Sequence, residues 1–381
     1  MEKRILTTHV GSLPRPAELI APIVAKDRGG DYDAEALQAL IAQAVDAVVK
    51  AQIEAGVDIV SDGEQSKPSY TNYMKDRLNG FGEGGTDLMM PQDLELNPNF
   101  RAMLARNDVA NPLKPPACIG PVSTKDKAPL LEDLRNFRAA VDRHRPAGVF
   151  MNAATPGVIS IFMPNAYYRS EDEYVFALAD ALAEEFEAIV DAGFQLQVDA
   201  PDLAMGRHMA YKNLSLEEFR SRAQRNVEAL NHATRNIAPE QMRMHLCWGN
   251  YPGPHTCDVA IGSVLDIVMK ARPQTLLFEA ANPRHAHEHR AWAERKRDIP
   301  DDKILCPGVI DTNTNCVEHP ELVAERLEQF AAIVGGDRVV AGTDCGFSTV
   351  VDRPRVFPDF VWQKLKSQRE GADIAARRIW G

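Results

Sequence analysis

Short apolar runs of a few residues recur along the chain, separated by stretches with helical spacing, and this alternation narrows the architecture more than any other feature. From residue 33, Leu37, Leu40, Ile41, Ala44, Val45, Val48, Val49 and Ile53 repeat at three- and four-residue intervals until Gly56, which predicts a helix of about six turns. It leads into Val57-Asp58-Ile59-Val60, a short strand that ends in the polar cluster Ser61-Asp62-Gly63-Glu64. Further buried-strand runs at 117–122, 148–152, 194–199, 243–247, 275–279, 304–310 and 338–343 bring the expected strands to eight. Helical patterns at 130–141, 171–192, 216–236, 261–271, 283–296 and 320–334 separate most of them. Such an order predicts an α/β fold, a parallel (β/α)8 or TIM barrel, with a doubly wound open sheet as the alternative. The expected organisation is one domain over 1–381, with a helical extension at the N-terminus and an insertion after the first strand. That insertion, residues 81–114, is irregular and rich in Gly and Pro, and either covers a site or is a surface excursion.

Charge and composition exclude several classes of partner. Against 43 Lys+Arg stand 54 Asp+Glu, a net charge of -11 that repels phosphate backbones and anionic lipid head groups. Neither nucleic acid nor a membrane is expected. The uncharged stretch 146–168 is long enough to span a bilayer, but Asn152, Pro156, Gly157, Pro164 and Asn165 interrupt it, so it reads as protein interior. The opening MEKRILTTHV has charge and no apolar core, so no secretory signal is expected and the cytoplasm is the expected compartment. Six cysteines are too sparse for a disulfide framework in a chain of 381 residues. Each is then a core thiol, a nucleophile or a metal ligand.

Barrel enzymes assemble their sites at the C-terminal ends of the strands. Here those ends carry Asp62 and Glu64, Asn152, Asp199 and Asp202, His245 and Cys247, Glu279 and Asn282, Asp311 and Asn313, and Asp344 and Cys345. The alternative role for such residues is to start loops and cap helices. His245-Leu246-Cys247 places a histidine and a cysteine on one face of a strand, because side chains alternate with a period of two. With Glu279 on the next strand and Cys345 on the last, N, S, O and S donors would converge, a set that suits Zn2+. A core thiol beside a hydrogen-bonded histidine is the competing account. Cys118, Cys257, Cys306 and Cys316 lack such company and read as structural, and His144, His232 and His255 as surface or satisfied positions. In Asn282–His289 three histidines alternate, but on a helix residues two apart diverge, so a metal shared among them is not expected.

Zinc held by two thiolates and a histidine is electron-rich, binds an incoming thiol and favours its thiolate, so thiol alkylation is the expected chemistry. The segments TTHVGSLPRP, SDGEQSKPSY, LQVDAPDLAMG, MHLCWGN, LLFEAAN, PGVID and GTDCGF stand in the order found in the catalytic barrel of cobalamin-independent methionine synthase, and the chain resembles that family over nearly its whole length. The resemblance implies zinc on His245, Cys247, Glu279 and Cys345. It also implies contacts to a homocysteine-like thiol from Gly11, Ser12, Glu64 and Asp199, and a methyl donor such as 5-methyltetrahydrofolate. The chain is one barrel long, as in short methionine synthase-like proteins and epoxyalkane:coenzyme M transferases. Where the synthase pattern has an acidic residue after the barrel aspartate, this chain has Ala200. A second expectation is therefore a thiol alkyltransferase acting on an epoxide, with Arg15 or Arg207 as counter-charge and His9, His208 or Tyr251 as proton donor. A third is a non-catalytic barrel whose metal is structural.

Overall fold

The computed structural model describes residues 3–84, 89–107 and 116–381, with side chains of 105–107 excepted. Six parallel strands, Ile59–Val60, Gly148–Ala154, Gln195–Asp199, Met242–Leu246, Thr275–Phe278 and Ile304–Pro307, lie side by side in chain order. Two further segments close this sheet on itself. Residues 339–342 join the last strand through Leu305↔Val339 and Gly308↔Gly342, and residues 7–8 bridge from Ala341 to Ile59, all in parallel register. The ring is the expected parallel barrel of eight staves.

Its membership differs from the sequence expectation at one stave. Residues 117–122 belong to Ala117–Thr124, which pairs antiparallel with Leu78–Gly82 as a ribbon outside the barrel. Pro121 in its middle has no N–H for a ladder, and Ile119 is 52% exposed where the staves of the barrel are buried. Residues 7–8 take the vacated place. The long helix Ala34–Glu54 thus connects the first two staves instead of preceding the barrel, and the expected insertion follows the second stave. Of that insertion, residues 85–88 and 108–114 lie outside the described residues.

Local signals set the helix ends. Asp33 accepts from the Ala36 N–H at 3.0 Å to start Ala34–Glu54, Gly56 beyond its end has φ +86°, and Ser215 with Glu218 forms a capping box for Leu216–Ala233. Ala34–Glu54 is long and apolar enough to cross a membrane, yet Leu37, Ile41, Val45, Val48 and Val49 are packed into the core. The uncharged stretch is likewise interior: it forms the stave Gly148–Ala154 and the buried helix Pro156–Phe162. An unanticipated C-terminal helix, Pro358–Trp380, packs on Pro320–Val334 and sends Gln368 to three backbone carbonyls, those of Thr8, Ala341 and Gly342, at the closing seam.

The barrel interior is polar in layers. Met242, Met244 and Leu246 join the outer apolar core, while the alternate residues Arg243 and His245 point inward. Arg243 donates to Thr8 Oγ1 at 2.9 Å and the His9 carbonyl at 2.6 Å and lies 3.9 Å over the Phe150 ring. These bonds plug the barrel beneath its mouth.

Candidate metal centre and thiol pocket

His245, Cys247 and Cys345 converge at the mouth with one ligand atom from each within 4.8 Å of the others. The His245 Nε2 stands 3.6 Å from the Cys345 Sγ. Burial, aided by the charge of Arg243, lowers the His245 pKa to about 3, so the imidazole is neutral, as a ligand must be. The Cys345 thiol is pushed well above its ordinary value by its hydrogen bond with Cys247, by burial, and by the negative charge of Cys247, Glu279 and Asp344. Two thiols and an imidazole packed among carboxyls make a pocket that disfavours further negative charge until a cation is supplied.

Glu279 stands beside this group without completing it. One carboxylate oxygen accepts from the Trp248 N–H at 2.8 Å and the other from the Asn282 amide at 3.2 Å. Asp344, the neighbour of Cys345, accepts from the N–H groups of Ala280, Ala281 and Asn282 at 2.9, 2.9 and 2.6 Å, which clamps the loop that carries Glu279. Asp202 is similarly structural, held by Thr155 and Asn226. At Asp344 and Asp202 the loop-building role of strand-end polar residues wins.

A cavity of about 210 Å³ opens above the cluster, walled by Tyr70, Phe162, Met205, His208 and Tyr251 and carrying Ser12, Glu64 and Asp199. Glu64 sits on a strained backbone, φ 55°, and one of its carboxyl oxygens is buried without a hydrogen-bond partner. Burial raises its pKa to about 7; Lys67 and Arg15 oppose this and Asp199 reinforces it. Asp199 rises to about 6, again through burial, although Asn152 and Gln197 donate to it at 3.1 and 2.8 Å. Gly11 lies behind this pair, where an added Cβ would stand 2.5 Å from Glu64 Oε1 and from the Asn152 amide. Its missing side chain makes room for both.

Other expected contacts fall elsewhere. The Arg15 guanidinium donates to the carbonyls of Ser348, Glu64 and Lys67 and to the Ser348 hydroxyl, so it ties loops together and does not line the cavity. Arg207 donates to the carbonyls of Tyr211 and Lys212. His9 is sealed inside the barrel against Gln52, and burial lowers its pKa to about 3, which removes it as a proton donor at the mouth. Tyr251 is on the cavity wall, but its hydroxyl donates to Asp93 at 3.0 Å. Asp93 belongs to Gln92–Leu96 of the expected insertion, also accepts from Thr256, and follows Pro91, which lines the cavity. Its described part therefore does cover the mouth. Sequence reasoning assigned no role to Asp93, Tyr70, Phe162 and Met205; Tyr70 and Met205 lie within the segments SDGEQSKPSY and LQVDAPDLAMG, which was the available signal, whereas Asp93 and Phe162 sit in no pattern that separates them from ordinary loop or core residues.

His144 and His232 are satisfied by Asp46 and Asp180, as expected. His287 and His289 do not join His285, because the tract is a 3-10 turn, Ala286–Glu288, followed by the helix His289–Glu294. His255, expected to be incidental, is buried and meets His285 across Asp258.

The model of the cobalamin-independent synthase catalytic domain matches residues 5–96. Methionine synthase from Saccharolobus solfataricus is 24% identical over 379 residues, covering 98% of this chain and 95% of the relative. That from Sulfolobus acidocaldarius is 23% identical, covering 98% and 93%. Among solved structures, a B12-independent methionine synthase from a Shewanella species, in complex with selenomethionine, superposes with a TM-score of 0.72 at 20% identity over 99% of both chains.

Proposed function

As this chain is a relative of the cobalamin-independent methionine synthases, we propose that the whole of it acts as one zinc-dependent thiol S-methyltransferase, taking homocysteine or a close amino thiol to its methyl thioether. The observation that carries the reading is the convergence of two buried thiols and a neutral imidazole at the floor of a cavity whose side wall holds two carboxyls of raised pKa. His245, Cys247 and Cys345 would hold zinc, with Glu279 as the oxygen donor beside them. Zinc there would lower the pKa of an arriving thiol so that its thiolate is the nucleophile.

The chain's own residues do the rest. Glu64 and Asp199 take the substrate ammonium, which restores to both the ionised form that burial disfavours. Ser12 lines the cavity beside them, and Gly11 behind them leaves Glu64 and Asn152 room to take their places. Tyr70, Phe162 and Met205 present an apolar wall to the methyl donor, such as 5-methyltetrahydrofolate, and exclude water from the transfer. His208, at the cavity wall with its Nδ1 2.8 Å from Asp258 and its Nε2 without a hydrogen-bond partner, is the group assigned to protonate the leaving amine. The engagement of Arg15 and Arg207 with backbone carbonyls weighs against those two as the counter-charge for an anionic thiol.

Zinc K-edge absorption of the purified chain, alone and with homocysteine or coenzyme M, tests this. Two sulfurs at rest and a third with homocysteine support the reading. A third sulfur only with coenzyme M would replace it with thiol alkyl transfer, and zinc whose sulfur count ignores every thiol would leave it structural.

A further inference from the structure

We propose that His255, Asp258 and His285 form a second, thiol-free site for a divalent transition-metal ion, beside the cavity and independent of the His245–Cys247–Cys345 cluster. Hydrogen-bond directions carry the argument. The His255 Nε2–H donates to the Tyr251 carbonyl at 3.0 Å, and the His285 Nδ1–H to Glu288 at 3.0 Å. With those nitrogens protonated, His255 Nδ1 and His285 Nε2 are the atoms left to take either a second proton or a metal ion. Both face the same Asp258 oxygen, at 2.8 and 2.9 Å. Three lone-pair atoms within 4.8 Å of one another repel unless positive charge lies among them. In the metal-free chain two protons supply it, which makes imidazolium rings of both histidines, each about 3% exposed and with centroids 6.5 Å apart; a single divalent ion can take the place of both protons.

The surroundings already have the form of a metal site's outer shell, in which each ligating histidine gives its other N–H to a carbonyl or carboxylate. Glu288 is itself fixed by the Ile261 N–H at 2.9 Å, and the Trp248 ring stacks on His285 at 4.0 Å. A second observation points inward: His208 is fully buried, neither ring nitrogen has a hydrogen-bond partner, and its Nδ1 lies 2.8 Å from the other Asp258 oxygen, out of line for a hydrogen bond. Access is present, since His255 lines a cleft of about 440 Å³ on the far side of Tyr251. Two imidazoles and a carboxylate suit zinc, iron(II) or cobalt(II) over magnesium or calcium. The bound ion would tie the loop carrying Tyr251 to the loop carrying His285 and, through Asp258, to His208, and so hold two residues of the cavity wall in place.

Cobalt(II) titration of the chelator-stripped, full-length chain tests the proposal. Two equivalents are expected, one with sulfur-to-cobalt charge transfer and one with ligand-field bands only. The Cys247→Ser/Cys345→Ser variant should keep one equivalent without charge transfer, and Asp258→Asn should keep only the thiol equivalent. A single equivalent in the wild type, with its charge transfer, would overturn the proposal and leave protons as the occupants. The wild-type count alone decides this if a variant does not fold. Failure of the thiol cluster to take metal would leave the thiol-free equivalent in place, so the two readings fail separately.

Discussion

The rim of this barrel carries two groups of ligand-type side chains held in opposite electrostatic states. His245, Cys247 and Cys345 stand on or just past stave ends, where burial lowers the imidazole to about 3 and the hydrogen bond with Cys247, aided by burial, raises the Cys345 thiol. His255, Asp258 and His285 stand on loops and neutralise one another. Burial alone would lower His285, but its bonds to Asp258 and Glu288 outweigh that and hold it at about 10. Burial also works against the Asp258 charge, but three histidines hold that carboxyl below the usual carboxylate range. Rigid strands can bring uncharged donors together without mutual attraction, whereas loop-borne donors need attraction to stay assembled.

The largest expected difference is in chemistry. Replacing Cys247 or Cys345 by Ser should cut methyl transfer by more than about 100-fold, since even outer partners of a metal commonly cost 10–100-fold. Product formation and zinc content measured together check it, and activity that survives full zinc loss would break the contrast. In stability the order reverses. Asp258→Ala strands two buried histidines and should lower unfolding free energy by about 3 kcal/mol, against less for Cys345→Ser. Equal midpoints in urea for the two variants would erase the distinction.

Glu64→Gln should raise the KM of an amino thiol about 10-fold, the worth of one charged hydrogen bond of about 1.5 kcal/mol, while zinc content is unchanged. A thiol of the same length lacking the amine should show no such penalty. The pH response follows from a carboxyl raised to about 7 in the folded chain. Its stabilising contribution is complete below the ordinary value of 4.5 and is lost as pH rises through 7. An ammonium ligand prefers the ionised form, so amino-thiol affinity should climb from pH 6 to pH 8, the range that brackets that value. Calorimetry showing flat affinity across that range would remove Glu64 from ammonium binding. Smallest is Tyr251→Phe, which loses one bond to Asp93 worth about 1 kcal/mol and should raise KM only a few-fold through the looser cover.

Much of the barrel was legible because the stave faces that pack against the surrounding helices must be apolar and the staves recur at even spacing. The exception is instructive. Residues 117–122 satisfy that rule over Ala117-Cys118-Ile119 and break it at Pro121, while Thr7-Thr8 is too short to register as an apolar run, yet it completes the ring through two isolated bridges. The thiol pair was legible for the same reason: His245 and Cys247 share a face by strand period alone, and Cys345 lies at the end of another stave.

What the sequence by itself determined is whatever follows from local periodicity: the alternation of strand and helix, the faces of the staves, the helix caps, and which polar groups stand at the mouth. Only the tertiary structure decided which of those groups meet. Glu279 turns to the Trp248 N–H, Asp344 clamps a loop, Arg15 spends its donors on carbonyls, and His255 finds His285 across Asp258. The physical reason is that hydrogen bonds and charge pairs saturate over a few ångströms, and residues 27 to 333 positions apart come within that range only once the chain has folded.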